Sequence, residues 1–282
     1  MREYRLGLYE KSMPNSLTLA QKLAEAKAAG FDYLELSIDE TDNKLARLDW
    51  SREEIAGAVQ AQVEQELPIR SICLSGHRKY PLGHPDPAVQ QQSLAIMEKA
   101  VCLAARLGGR GIQLAGYDVY YEPSTPQTRS DFEKNLRLCV KMAAREGVIL
   151  GFETMETAFL NTVSKAMYWV EQIHSPYLQV YPDIGNLTNA ALTYESDVCQ
   201  DLRMGEGHLA AVHLKETTPG IFREVPFGAG HVDFSTLAPL ARQLGVCRFV
   251  GEFWYTGGED WRDTLRSSRT FLCQALDAPL PV

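Results

Sequence analysis

The sequence has no apolar run approaching the roughly 20 residues that cross a bilayer as a helix, so no membrane-spanning helix is expected. Positive charge is also in deficit. There are 28 Lys and Arg against 36 Asp and Glu, a formal net charge of −8. Binding along nucleic-acid phosphates needs clustered Lys and Arg, so a nucleic-acid partner is not expected. A small anionic substrate needs only a local positive pocket and stays open. Cysteine is sparse, and Cys73, Cys102, Cys139, Cys199, Cys247 and Cys273 include no Cys-x-x-Cys pair. They read as free thiols in a reducing cytoplasm, not as a disulfide or zinc framework. No Gly-x-Gly-x-x-Gly follows the first apolar run, which argues against an open dinucleotide-binding sheet. No leader is recognisable, because Met1-Arg2-Glu3-Tyr4-Arg5 runs straight into a strand-like segment. No low-complexity linker interrupts the chain, so one domain over 1–282 is expected.

What is present is a regular alternation. β-rich apolar segments fall at 5–9, 33–37, 69–74, 111–115, 148–153, 178–183, 209–213 and 248–254. Helical patterns lie between them, at 16–29, 87–107, 131–145, 163–173, 234–244 and 261–276. Ser51 and Glu54 have the spacing of a capping box. Gly30, Gly108-Gly109, Gly147 and Gly245 each stand between a helical pattern and the next apolar run, where glycine closes a helix. Eight strand–helix units point to an α/β fold, a single (β/α)8 TIM barrel.

Four consecutive runs of the second half end in a metal-ligand type: Glu153, Asp183, His213 and Glu252. They lie roughly 30 to 40 residues apart, one strand–helix repeat each. Such spacing brings four side chains from adjacent strand ends to one point. Three carboxylates and an imidazole there would repel one another without a cation, so the set predicts one divalent metal ion (Mn, Zn, Co or Mg). His208 opens its run, on the opposite face, and His231 in a loop is an alternative nitrogen. A sugar could fill the remaining positions with a carbonyl oxygen and a neighbouring hydroxyl. Polarising a C2 ketone acidifies the C3 hydrogen. One carboxylate could then remove that proton and a second return one to the opposite face. Glu153 and Glu252 are the expected acid/base pair. An aldose–ketose isomerase, or a non-catalytic sugar-phosphate-binding barrel, is the alternative.

Several stretches carry a family resemblance: residues 6–11, 48–52, 73–78, 112–121, 181–187, 212–217 and 225–228. Ile-Gln-Leu-Ala-Gly-Tyr-Asp-Val-Tyr-Tyr (112–121) and Tyr-Pro-Asp-Ile-Gly-Asn-Leu (181–187) are the most specific. The chain resembles L-xylulose-5-phosphate (L-ribulose-5-phosphate) 3-epimerases of bacterial L-ascorbate and related pentose pathways. The resemblance implies a xylose-isomerase-like TIM barrel, a single divalent metal and a phosphorylated ketopentose. Its ligand pattern falls on Glu153, Asp183, His213 and Glu252. The chain departs from it at Thr154-Met155-Glu156, where the family usually reads Ile-Met-Asp, at Gly76, often Ala, and at Ala229, often Glu. Asn186 stands where the related free ketose 3-epimerases carry His, which favours a phosphorylated substrate.

A phosphorylated substrate needs an anion pocket. Lys11, Ser75, His77, Arg78 and Lys215 follow strands one, three and seven and are the candidates, with Asn186 nearer the sugar. Glycines 228, 230, 257 and 258 are an alternative phosphate site, after strands seven and eight. Tyr9, Tyr117, Tyr120, Tyr121, Phe227 and Trp254 could cover the sugar, half of them as ordinary packing. A homodimer is one use for surplus aromatic surface.

Overall fold

Strand and helix alternate through residues 3–279, which the computed structural model describes. Met1 and Arg2, part of the segment read as leaderless, and residues 280–282 lie outside the described residues. The strands are β1 (Arg5–Tyr9), β2 (Tyr33–Ile38), β3 (Ile69–Leu74), β4 (Gly111–Ala115), β5 (Ile149–Glu153), β6 (Leu178–Val180), β7 (Val212–Leu214) and β8 (Arg248–Gly251). The helices are α1 (Leu19–Ala28), α2 (Asp42–Leu45), α3 (Arg52–Glu64), α4 (Pro87–Leu107), α5 (Pro126–Glu146), α6 (Val163–Ile173), α7 (Ile184–Tyr194), α8 (Val198–Arg203), α9 (Phe234–Gln243) and α10 (Trp261–Asp277). All named strand pairs are parallel, in the order β6-β5-β4-β3-β2-β1-β8-β7. The two ends of that order meet through the bridges Val180↔Leu209 and Asp183↔His213, which close the barrel. The expected (β/α)8 barrel is what the chain forms.

Local chemistry accounts for most element ends. Ser51 and Glu54 form the predicted reciprocal cap at the start of α3. α5 begins five residues earlier than the apolar pattern indicates, because Thr125 caps it and Pro126 takes its first position. α4 and α5 end at Gly108 and Gly147, both at positive φ, where a side chain would be strained. β6 and β7 are three residues each, shorter than their apolar runs. Pro182 lacks the N–H a longer ladder would need. α7 and α8 had no counterpart in the sequence reading.

Strand alternation divides the residues between two layers. In β2, Leu34, Leu36 and Ile38 join the main apolar core between sheet and helices. Tyr33, Glu35 and Ser37 take the other face and point into the barrel, where all three are buried. This inward layer also holds Ser71, Gln113, Tyr181 and His213, a polar layer directly beneath the strand C-termini. Among the described residues, no helix is long and apolar enough to cross a membrane, and all six cysteines are free.

Candidate metal centre

The four predicted ligands converge. Glu153 is the last residue of β5 and Glu252 directly follows β8. His213 lies within β7. Asp183 caps α7, its Oδ1 accepting the Asn186 N–H at 2.9 Å. The Asp183↔His213 bridge fixes two of the four backbones side by side. Each residue offers one ligand atom, these atoms lie within 4.8 Å of one another, and all four residues are buried. His213 Nδ1 is 3.2 Å from Glu252 Oε2 and 3.4 Å from Glu153 Oε1.

Three further side chains hold this arrangement. Glu35, wholly buried, takes His213 Nε2 at 2.7 Å, which turns Nδ1 toward the carboxylates. Glu35 is itself held by Ser71 Oγ at 2.7 Å and Tyr181 Oη at 2.9 Å. Gln113 Nε2 donates to Glu153 Oε2. Lys215 Nζ lies 2.8 Å from Asp183 Oδ2 and 3.6 Å from Glu252 Oε2. The sequence reading missed Glu35 and Gln113. A carboxylate in an inward-facing strand position was the available signal for the first.

Charge is poorly balanced. Two ionised carboxylates about 4 Å apart cost roughly 4 kcal/mol at an effective dielectric of 20. Burial pushes the Glu153 carboxyl up, and the charge of Glu252 adds to it. Burial raises Asp183 to about 7, with Lys215 opposing and Glu252 and Glu153 adding. Burial acts upward on Glu252 too, but Lys215 and His213 outweigh it and hold that carboxyl below the usual range. Burial would lower His213, yet Glu35 and Glu252 hold the imidazole well above its ordinary value. The geometry suits a cation. Asp183 Oδ2 and Glu252 Oε2 are buried and, despite Lys215 nearby, accept no well-directed hydrogen bond. The donor set of three carboxylate oxygens and one imidazole nitrogen suits a divalent ion.

A cavity opens above the cluster. Glu153 and Glu252 line it together with Lys11, Ser75, Arg78, Asn186 and Lys215. Five of the six expected substrate residues thus share a wall with two of the metal ligands, Glu153 and Glu252. Within that wall, Lys11 pairs with Asp39 at 2.5 Å, and Arg78 lies 4.6 Å from the Tyr120 ring centroid. Lys215 sits among the metal carboxylates. Asn186 donates to the Thr154 carbonyl at 2.8 Å, and its buried Oδ1 lacks a partner. Arg223, which the sequence reading did not select, joins the rim and pairs with Glu156 at 3.3 Å. The glycines at 228, 230, 257 and 258 do not line this cavity. His208 bonds Gln179 and His231 bonds Thr217, so neither joins the ligand cluster. Of the aromatics, Tyr9 and Trp254 face the cavity, whereas Phe227 packs among Phe234, Phe253 and Phe271.

His77 corrects the expectation. It is buried, its Nε2 lies 3.1 Å from the Ser93 carbonyl, and it is absent from the cavity wall. Burial pushes its imidazole down to about 4, so it is neutral and offers a phosphate no charge. The depressed value has a stability consequence. Its contribution is fully present above the unfolded value near 6.5 and is lost as pH falls toward 4. Full loss is about 3 kcal/mol. Denaturant unfolding at pH 7 and pH 4.5 is expected to show a smaller acid-induced loss in His77→Gln than in the wild type. Equal losses would count against a neutral buried His77.

Comparison with known proteins places this geometry. Residues 23–274 match the xylose isomerase-like TIM barrel family. The L-ribulose-5-phosphate 3-epimerase UlaE of Shigella boydii serotype 18 is 45% identical over 256 residues, 90% of this chain and 89% of that protein. Among solved structures, the D-allulose 3-epimerase from Methylomonas sp., in complex with D-allulose, superposes with a TM-score of 0.78 at 17% identity, covering 96% of this chain and 97% of that one. An L-ribulose 3-epimerase structure gives 0.76 at 20% identity, covering 97% and 95%. These two distant structures establish likeness of fold.

Proposed function

We infer, from a chain that belongs to the L-ribulose-5-phosphate 3-epimerase family of xylose isomerase-like TIM barrels, that it is itself an epimerase. It inverts C3 of a ketopentose 5-phosphate, interconverting L-ribulose 5-phosphate and L-xylulose 5-phosphate. The observation that supports this reading is the convergence of four ligand atoms, two of them on Glu153 and Glu252 in the wall of a cavity that also presents Lys11, Ser75 and Arg78. We place the reaction in the cytoplasm and in L-ascorbate degradation. The free cysteines are compatible with a reducing compartment.

Glu153, Asp183, His213 through Nδ1, and Glu252 would hold one divalent ion, manganese, zinc, cobalt or magnesium. Its chemistry, when bound, is Lewis acidity toward a ketone oxygen. The chain's own groups do the rest. Glu153 and Glu252 approach the cavity from strands five and eight. One carboxylate takes the C3 hydrogen as a proton, and the C–H electron pair moves toward the C2 oxygen. The other carboxyl group then delivers a proton to the opposite face of C3. Glu35 and Gln113 fix His213 and Glu153 so that neither must reorient during proton transfer.

Lys11, Ser75 and Arg78 meet the phosphate. Arg78 contributes a planar donor set and Lys11 a point charge. Replacing Lys11 by Met or Arg78 by Gln is expected to raise KM for the phosphorylated pentulose about tenfold or more, with kcat changed far less. Steady-state kinetics check this, and an unchanged KM in both variants would remove the phosphate from this wall. The reaction itself is tested by incubating L-xylulose 5-phosphate with the protein and Mn²⁺ in deuterated water. Deuterium at C3 with formation of L-ribulose 5-phosphate supports epimerisation. Exchange at C1 with an aldose product assigns the isomerase alternative, and no exchange with any divalent metal leaves only a binding role.

A further inference from the structure

The opposite end of the barrel carries a second concentration of charge. Arg5, Arg70, Arg110 and Arg248 all border one depression of about 520 Å³ at the strand N-termini. All four are exposed. They form two adjacent pairs. Strand register sets Arg5 beside Arg248. Ser71 pairs with Gly111, and the Arg110 N–H donates to the Arg70 carbonyl at 3.1 Å, so Arg70 and Arg110 are neighbours too. The start of β2, with Asp32 and Tyr33, lies between the pairs.

Like charges side by side on adjacent strands are destabilising. Among the described residues, the only ion pair made by the four arginines joins Arg5 to Asp32, at 3.6 Å. Asp32 is also occupied in accepting the Leu6 N–H at 2.8 Å. The depression is therefore locally cationic on a chain whose formal net charge is −8. Overall composition does not produce that, and a ring of side chains around a concavity differs from the extended basic stripe that a nucleic acid requires.

A deeper cavity continues inward from the same rim. It shares Tyr33, Arg70, Arg110 and Arg248 and reaches Ser71, Gly151, Tyr181 and Ala211. Tyr181 packs closely against Gly151 there, where a Cβ would lie 2.8 Å from the Tyr181 Cβ. Ser71 and Tyr181 also donate to Glu35, which holds His213, so this floor lies between the depression and the metal cluster. A ligand at the arginine ring does not enter the catalytic cavity.

We propose that this ring is a binding site for a small anion with two phosphoryl groups, one for each arginine pair. Guanidinium groups recognise phosphoryl oxygens through paired, charge-assisted hydrogen bonds. Two such pairs exceed what one phosphoryl group can engage. The anion also removes the repulsion within each pair, so binding raises stability.

Fructose 1,6-bisphosphate serves as the probe, with orthophosphate as the single-phosphoryl control. Both are titrated calorimetrically into the full chain in chloride buffer. Lys11→Gln/Arg78→Gln removes the cations of the catalytic cavity, and Arg70→Gln/Arg110→Gln removes one pair of the ring. The bisphosphate is expected to bind the first variant as it binds the wild type at this site, and the second at least about tenfold more weakly. It is expected to bind the first variant more tightly than orthophosphate does. Thermal unfolding adds a control for folding. Without ligand, Arg70→Gln/Arg110→Gln should melt no lower than the wild type, and it should lose the melting shift that the bisphosphate gives. The proposal is overturned by equal affinity in the two variants, by loss of binding in Lys11→Gln/Arg78→Gln alone, or by absence of saturable binding in the wild type.

Discussion

Replacing Glu153 or Glu252 by glutamine is expected to lower turnover about a thousandfold or more while leaving the barrel folded. Glutamine keeps the shape and one carbonyl oxygen, so the Gln113 and Lys215 neighbours lose little packing. It removes the capacity to accept or return a proton. The two variants should differ in kind. The variant that retains the base for a given epimer still exchanges the C3 hydrogen of that epimer with solvent, yet forms little of the other. Proton NMR in deuterated water reads both quantities, and the metal content of each variant is measured alongside. Activity within a few fold of the wild type in either variant would remove that glutamate from the acid/base pair.

Glu10 is the second position where a single substitution has a large expected effect. It is wholly buried at the end of β1 and meets three cations. Lys22 Nζ lies at 2.9 Å, Lys44 Nζ at 2.7 Å and Arg47 Nη1 at 2.5 Å, and the Ser37 N–H donates at 2.9 Å. Burial opposes the charge, but Arg47, Lys44 and Lys22 together hold the carboxyl well below its usual range. Removing one partner of a buried ionic cluster leaves the others uncompensated, at a cost of about 3 to 5 kcal/mol. Glu10→Ala is expected to lose that much in denaturant unfolding and about 10 °C in Tm. Lys44, which burial already pushes down to about 8 despite Glu10, can shed its proton in the variant. The loss should therefore be smaller at alkaline pH than at pH 7. A loss under about 1 kcal/mol would show that the cluster is not held by Glu10. The cluster also ties α1, β2 and the α2 region to the loop that carries Lys11, so a looser anion wall is the expected functional consequence.

The ligand quartet was legible in the sequence because a parallel barrel converts spacing into proximity. An apolar run followed by Glu153, Asp183, His213 or Glu252 places each side chain at a strand C-terminus, and the closed sheet brings those ends together. The resemblance independently marked the same four residues. Lys11 and Arg78 were legible as charges after strands, but their pairings were not. Lys11 meets Asp39 across the mouth, not its neighbour Glu10. His77 sits between two cavity residues in sequence, and the short helical turn at 75–78 turns it inward, away from Arg78. Glu35 and Gln113 were hidden because they lie within apolar runs. Only strand alternation, read against a closed barrel, separates their inward face from the outward one. α7 went unread because it starts directly after Asp183, whose side chain serves as its N-cap as well as the ligand cluster. A residue with two local roles gave a single signal.

The catalytic account rests on one cation among Glu153, Asp183, His213 and Glu252. The most direct measurement is metal content by mass spectrometry after extensive dialysis against metal-free buffer, for the wild type and for Asp183→Ala/His213→Ala. The account predicts one divalent ion per chain in the wild type, almost none in the double variant, and both proteins folded by circular dichroism. A folded wild type that retains no divalent ion and gains none on reloading, or a double variant that retains as much as the wild type, would contradict it.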